Sequence, residues 1–191
     1  MIRNATTPVL IDPKLIDLAL LEIQEGLIAS LPWLNVAHGK AKAIKSLKNN
    51  VEIVGPAVYV GKAEYLPVFP DVHQGCFSFF SVKDGEEVQS ESLGNYRFTS
   101  EVGLIFWFDF RKIYPLEWQE RTIDNVKFDI ITAIKSLRLR RSTIILSRTW
   151  EKGENIYREY TDREIKNQFL MRPYGGLRFD FDITYNEIDN C

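Results

Sequence analysis

The chain has 191 residues, of which 45% are hydrophobic and 13% aromatic. A chain of this size buries roughly 70% of its unfolded surface, so we expect a single domain over residues 1–191. Its 24 basic and 26 acidic residues give a formal net charge of −2, which excludes a global electrostatic attraction to DNA or to an anionic membrane. We therefore expect no sequence-specific nucleic acid partner and no membrane partner.

Cysteine usage and the N-terminal sequence point to a cytoplasmic chain. Cys76 lies in an apolar aromatic run and Cys191 is the last residue, so the two thiols do not form a disulfide framework. The first residues contain no long apolar run, and no segment reaches the roughly 20 apolar residues that cross a bilayer. We expect neither a signal peptide nor a transmembrane segment.

Two amphipathic helices are predicted. The first begins with Asp12 as its N-cap and Pro13 at its first position, and Pro32 ends it. The second runs from about residue 120 to 137, where apolar residues repeat with a 3-4-4-3 spacing on one face. The residues that carry this spacing are Ile123, Val126, Ile130, Ile134 and Leu137.

The clearest predicted strand covers residues 98–110, with apolar side chains at even positions and mostly polar ones at odd positions. Ile105 and Trp107 interrupt the polar face, so we expect a helix or a neighbouring subunit to cover its middle. Residues 33–50 fit either an edge strand or a short helix. Further strands are predicted at 51–61, 76–82, 143–149 and 177–185.

This order of elements predicts an α+β fold, an antiparallel sheet with the two main helices packed on one face. Between two of the strands, residues 83–96 are polar, contain four acidic residues and follow no helical or alternating period. We expect a long, exposed, acidic inter-strand loop there, and loops of this length are usually functional or disordered.

The candidate catalytic and metal-binding residues are few. His73 and Cys76 form an isolated H-x-x-C after Asp71, and a metal site needs at least one further ligand. The aromatic residues around Cys76 favour a buried, inert thiol. Glycine-rich phosphate loops and nucleophile elbows are absent from the sequence. We therefore expect no catalytic residues, no metal and no cofactor.

One acidic pair and one short acidic motif are weighed against simpler interpretations. Asp180 and Asp182 share one face of the last strand, about 7 Å apart, a spacing compatible with paired carboxylates in glycoside hydrolysis. The alternation of that strand requires polar residues there whatever the function. Pro70-Asp71 is similar to the start of a nuclease metal motif, but residues 76–83 lack the acid that should follow it.

The order and pattern of these elements resemble the bacteriophage tail terminators and related tail-completion proteins. The resemblance covers the helix that begins at Asp12-Pro13, the strand from Arg97 to Phe110, the Ile123 to Leu137 helix and the closing segment from Tyr174 to Tyr185. Segments 33–50 and 150–168 are longer than a minimal member needs. Members of this family are small α+β subunits that assemble as rings, cap the tail tube and join it to the head.

The resemblance implies a non-catalytic virion structural protein of a phage or prophage, present in the host cytoplasm during assembly and then in the virion tail. Its expected partners are copies of itself in a ring, and tail tube or head–tail connector proteins. Acids on the ring lumen would repel passing DNA. The interface candidates are Asp84, Glu86, Glu87, Glu91, Tyr96, Ile105 and Trp107.

Two alternatives stay open. One is a metal-dependent nuclease or hydrolase that uses Asp71 and His73 with acids such as Asp180 and Asp182. The other is a small adaptor subunit of a bacterial secretion or injection apparatus, which the sequence does not distinguish from a phage component.

Overall fold

The computed structural model describes residues 5–6, 12–48, 50–62, 64–68, 75–90, 95–161 and 170–186. Within this part of the chain, nine strands join one sheet and four helices pack around it. None of these helices is both long and apolar enough to cross a membrane. In chain order the elements are β1 Ala5–Thr6, α1 Ile16–Ser30, β2 Val36–Lys48, β3 Val51–Gly61, β4 Glu64–Pro67, β5 Phe77–Val82, β6 Glu87–Ser90, β7 Tyr96–Asp109, α2 Phe110–Ile113, α3 Ile123–Ser136, β8 Ser142–Trp150, α4 Gly153–Ile156 and β9 Tyr174–Asn186.

The sheet is mixed, which corrects the expectation of a purely antiparallel one. Its strands lie in the order β4-β3-β2-β5-β7-β9-β8, with β1 added to β2 and β6 added to β7. Most neighbours are antiparallel, but β1 and β5 each run parallel to β2. β3 and β4 lie on one side of β2 in the sheet, and β5, which follows them in the chain, lies on the other side and runs parallel to β2.

The main core lies on the face that carries the even residues of β7 and the odd residues of β9, as the predicted alternation requires. Helices α1 and α3 cover this face, and both contribute one apolar stripe to it. The buried residues include Ile16, Leu20, Ile23 and Leu27 from α1, Val126, Ile130 and Ile134 from α3, Val102, Leu104, Phe106 and Phe108 from β7, and Leu177, Phe179, Phe181 and Ile183 from β9.

The two long helices begin differently. Helix α3 starts behind Thr122, whose backbone N–H donates to the Asn125 side chain in a capping box. The first helix does not start at Asp12-Pro13 as predicted. It begins at Ile16, because Asp12 and Leu15 have positive φ angles of 57° and 51°, which helical residues do not adopt.

A second, smaller core lies on the opposite face, so helical structure is not confined to one side of the sheet. The short helix α4 and the residues that follow it pack there, with Ile156, Tyr157 and Tyr160 buried. They cover Ile105 and Trp107, which are completely buried. The ring of Trp107 stacks on Phe77, Tyr157 on Phe79, and the rest of this core is apolar. Of the two covers expected for Ile105 and Trp107, the structure shows the helix.

Two segments whose structure the sequence left open or assigned to a loop contain strands. Most of residues 33–50 form β2. The segment 83–96, expected to be a loop, contains β6, which pairs with β7 from Glu87 opposite Thr99 to Ser90 opposite Tyr96. Its four strand residues are exposed, so no buried face imposes an alternating pattern on their sequence.

Candidate functional site

The outer half of the β2–β3 hairpin projects from the body of the molecule. Up to Lys40, β2 pairs with β5, and from Ala41 to Lys48 the described register pairs it with β3. Every side chain from residue 42 to 47 is exposed, and so are Val51 and Glu52. We call residues 42–48 and 50–53 the arm. At about 3.3 Å per residue, its first strand extends roughly 20 Å.

The arm is joined to the body at its base. The Val54 N–H donates to the Thr161 hydroxyl at 2.8 Å, and the Thr161 N–H donates to the Val54 carbonyl at 2.9 Å. Thr161 follows the segment that forms the second core, so the base of the arm is fixed to that core. Apart from Lys42, which contacts Tyr65 of β4, the described contacts of the arm lie within the hairpin and its base.

The surface of the arm is apolar and basic. Leu47 is 77% exposed, Val51 is 61% exposed, and Ile44 is also exposed. Lys42 lies 4.8 Å above the Tyr65 ring of β4. An isolated two-stranded hairpin is marginally stable in water. Apolar side chains at its tip stabilise nothing within the monomer, and they are the kind of residue that another molecule covers.

A second projection carries the acidic interface candidates. It consists of the turn after β5, strand β6 and the start of β7, and we call residues 83–90 with 95–98 the acidic hairpin. Asp84 and Glu87 are exposed on it, together with Val88 and Tyr96. Glu91 lies outside the described residues. The acidic hairpin therefore combines carboxylates with exposed apolar groups.

Glu86 has a different position from the other acids of this segment. Its carboxylate accepts hydrogen bonds from the hydroxyls of Ser100 and Tyr185. Burial raises the pKa of Tyr185, and the hydrogen bond to Glu86 raises it further, so the phenol keeps its proton and donates it. Glu86 thus anchors the acidic hairpin to β7 and β9, and its carboxylate is used inside the chain.

Ile105 and Trp107 are wrong as interface candidates. Both side chains are completely buried in the second core. Trp107 lies between Phe77 and Tyr174, with ring centroids 5.6 and 5.3 Å away. The sequence pattern showed that something covers these residues, but the covering segment belongs to the same chain.

A charged cleft lies on the same face as the second core, beside α4. It has a volume of about 690 Å³ and contains Arg178, Asp180, Asp182, Arg158 and Glu159 among its lining residues. A buried arginine forms its floor. Arg178 is 2% exposed, and its guanidinium donates to Asp180, to Glu159 and to the carbonyl oxygen of Ile156.

Gly103 makes room for this arginine. A Cβ atom at position 103 would lie 2.3 Å from Nη2 of Arg178, so a side chain there would displace the guanidinium from its present position. The arrangement ties β9 to the end of α4 through hydrogen bonds that are largely shielded from water. Arg178 therefore positions the segment that closes the second core.

The carboxylates of the cleft have different environments. Burial opposes ionisation of Asp180, but hydrogen bonds from Arg178 and from the Trp150 indole, each 2.6 Å long, outweigh it and lower its pKa. Asp182 lies opposite Glu101 in the β7–β9 register, and Glu101 pairs with Lys83 at 2.8 Å. Asp180 therefore acts as the partner of Arg178, and the two predicted carboxylates do not form an equivalent pair.

The remaining candidates for chemistry are Cys76, His38 and the residues near them in sequence. Burial raises the pKa of the Cys76 thiol to about 11, and Cys76 is fully buried, so the thiol is protonated and shielded. His38 is buried without a hydrogen bond partner for either ring nitrogen among the described residues, and burial lowers its pKa to about 4. Asp71, His73 and Cys191 lie outside these residues. Within the described ranges, no three His, Cys, Asp or Glu side chains are grouped as metal ligands.

The described sheet ends at β8 on one side and at β4 on the other. Ile145 on β8 is 64% exposed, and Leu146 is also exposed. An apolar groove of about 410 Å³ lies between β8 and the end of α3, and Lys135 is among its lining residues. The two ends of the sheet are different surfaces, since β4 carries Tyr65 and Leu66 instead.

Comparisons with known proteins leave the function to be argued from this geometry. No protein-family model matches the sequence, and a search of curated proteins finds no match.

Proposed function

We propose that this protein is a structural subunit of a phage or prophage tail, similar in role to tail terminator and tail-completion proteins. In this proposal, copies of the chain close a ring that caps the tail tube or joins it to the head, with no catalytic step. The subunit assembles in the host cytoplasm and then forms part of the virion tail. Its partners are copies of itself and the tube or connector proteins.

The observation that carries the proposal is the arm. Its apolar residues Leu47, Val51 and Ile44 are exposed, although the body of the same chain has two well-covered cores. A monomer gains nothing from these side chains at the tip of a hairpin, whereas a second molecule that covers them gains apolar burial. The arm therefore favours a protein whose stable form is an assembly.

The difference between the two ends of the molecule supports a ring over an isologous dimer. The arm and β4 lie towards one end of the strand order, and the exposed apolar residues of β8 lie at the other end. When the two ends of a subunit contact two different neighbours, the contacts are heterologous, and they close into rings when the rotation between subunits permits. Closure also protects sheet edges that otherwise invite open-ended association.

Light scattering over a concentration series, at low and high salt, tests the proposal. We expect a discrete mass at a multiple of the 22.2 kDa chain. The variant Ile44→Ser with Leu47→Ser should shift the assembly to higher concentration. Its matched control, Leu116→Ser with Phe128→Ser, removes two exposed apolar residues elsewhere and should assemble normally. A chain that stays monomeric at every concentration, also in the presence of purified tail tubes, would overturn the proposal.

A further inference from the structure

The arm and the acidic hairpin carry opposite charges. Residues 42–53 contain three lysines and one glutamate, whereas residues 83–96 contain four acidic residues and one lysine. Lys42 and Lys45 are exposed on the arm, where Lys45 forms an exposed ion pair with Glu52 at 2.8 Å, and Asp84 and Glu87 are exposed on the acidic hairpin. Complementary charges of this kind fix which surfaces meet and in which register.

Apolar groups accompany the charges on both surfaces. Val88 is 55% exposed and Tyr96 is exposed on the acidic hairpin, and the arm presents Ile44 and Val51 on the face that continues the main-core side of the sheet. Val88 lies opposite Phe98 in the β6–β7 register, on that same side. Each surface therefore combines apolar and charged side chains. By strand alternation, Lys42 shares the face of Ile44, whereas Lys45 lies on the opposite face of the arm and Glu87 on the opposite face from Val88.

The apolar groove between α3 and β8 is the competing position for the arm. Its lining includes Lys135, and Arg138, Arg140 and Arg141 follow in the sequence. A basic arm entering this groove would approach Lys135, and like charges brought together cost binding free energy. The charges therefore favour the acidic hairpin.

We infer that the arm of one subunit docks on the acidic hairpin of a second copy of this chain, with Lys42 and Lys45 facing Asp84 and Glu87. This inference rests on the proposed assembly function and names the two surfaces that form its contact. In the proposed ring, each subunit offers its arm to one neighbour and its acidic hairpin to the other. The contact is heterologous and propagates around a ring. Glu86 holds the acidic hairpin in place for this contact through Tyr185 and Ser100.

A charge-swap experiment tests the contact. The arm variant carries Lys42→Glu and Lys45→Glu, and the hairpin variant carries Asp84→Lys and Glu87→Lys. Alone, each variant presents like charges on both surfaces, so we expect its self-assembly to weaken by at least roughly tenfold. An equimolar mixture restores opposite charges wherever the two variants alternate, because the reversed arm then meets the reversed hairpin and the native arm meets the native hairpin. Sedimentation velocity should show assembly in the mixture only.

The control variant Lys135→Glu with Arg138→Glu reverses two exposed basic residues beside the groove and should assemble like the unmodified chain. Circular dichroism and thermal melts establish that all variants fold. If the unmodified chain assembles but the mixture of the two variants does not, the inferred contact is wrong and the proposed function stands. If the control loses assembly as the arm variant does, the contact is also wrong. An unmodified chain that never assembles overturns both.

Discussion

The β7–β9 pair and the arm are both antiparallel ladders, but they differ in what covers them. α1 and α3 pack over one face of β7 and β9, and the segment around α4 packs over part of the other. Both faces of the arm are exposed. A sheet stabilised by its own chain unfolds when its packing is damaged, whereas an exposed hairpin can be altered at little cost to folding. The comparison separates the residues that maintain this fold from those available to a partner.

The largest expected loss of stability follows a substitution in the covered part of the sheet. Trp107→Ala removes a completely buried indole from the second core, and we expect a loss of about 3–5 kcal/mol in the free energy of unfolding. Chemical denaturation followed by circular dichroism measures it. Tyr96→Ala removes an exposed aromatic residue and should cost no more than about 0.5 kcal/mol. If Trp107→Ala were as stable as the unmodified chain but did not assemble, Trp107 would be an interface residue and its assignment to the core would be contradicted.

His38 gives the covered region a dependence on pH. Above pH 6.5 the imidazole is neutral in both the folded and the unfolded chain. Below pH 6.5 the imidazole of the unfolded chain becomes protonated, whereas that of the folded chain stays neutral down to about pH 4. As the pH decreases across this window, the free energy of unfolding therefore decreases by roughly 3 kcal/mol from this group. His38→Leu should reduce the fall measured by denaturation between pH 6.5 and pH 4. Parallel pH profiles for the two proteins would contradict this explanation.

Substitution of Arg178 tests the hydrogen-bonded connection between β9 and α4. Arg178→Ala leaves Asp180 and Glu159 without their buried partner, and we expect a loss of about 2–3 kcal/mol in stability. This is less than for a fully buried pair, because Glu159 is 34% exposed at its side chain. Arg158→Ala, which removes a more exposed guanidinium bonded to the same Asp180, should cost about 1 kcal/mol or less. Equal losses for the two variants would show that burial of Arg178 contributes nothing.

The smallest expected effect on folding is in the arm. Ile44→Ser with Leu47→Ser changes residues that the body of the chain does not cover, so the free energy of unfolding of the monomer should change by less than about 0.5 kcal/mol. Denaturation at a concentration below assembly measures this. A loss comparable to that of Trp107→Ala would mean that the arm packs against its own chain.

The difference between elements with one buried face and elements exposed on both faces also explains which elements the sequence predicted correctly. Alternation along β7 and β9 and the 3-4-4-3 spacing of α3 are produced by one buried face, and these elements have the expected positions. The sequence left a strand and a helix open for β2 and predicted a loop at β6. Both faces of their outer parts are exposed, and without a buried face no period is selected.

The candidate site was predictable only in part. Exposure of Asp84, Glu87 and Tyr96 followed from the polar composition of their segment. The burial of Ile105 and Trp107 by their own chain depended on α4, which has four residues and is too short to show a helical period. Arg178 occupies a polar position of an alternating strand, and its burial depends on that same short helix and on Gly103. Contacts between distant segments leave no local signal in the sequence.

Amide hydrogen exchange in the arm, measured below and above the concentration at which the chain assembles, tests the central claim most directly. An uncovered two-stranded ladder opens at little cost, so residues 43–47 and 51–53 should exchange rapidly in the monomer and at least roughly tenfold more slowly in the assembly. Amides of β7 should be protected under both conditions. Identical exchange in the arm at both concentrations, while the mass shows assembly, would contradict the claim that a second copy of the chain covers the arm.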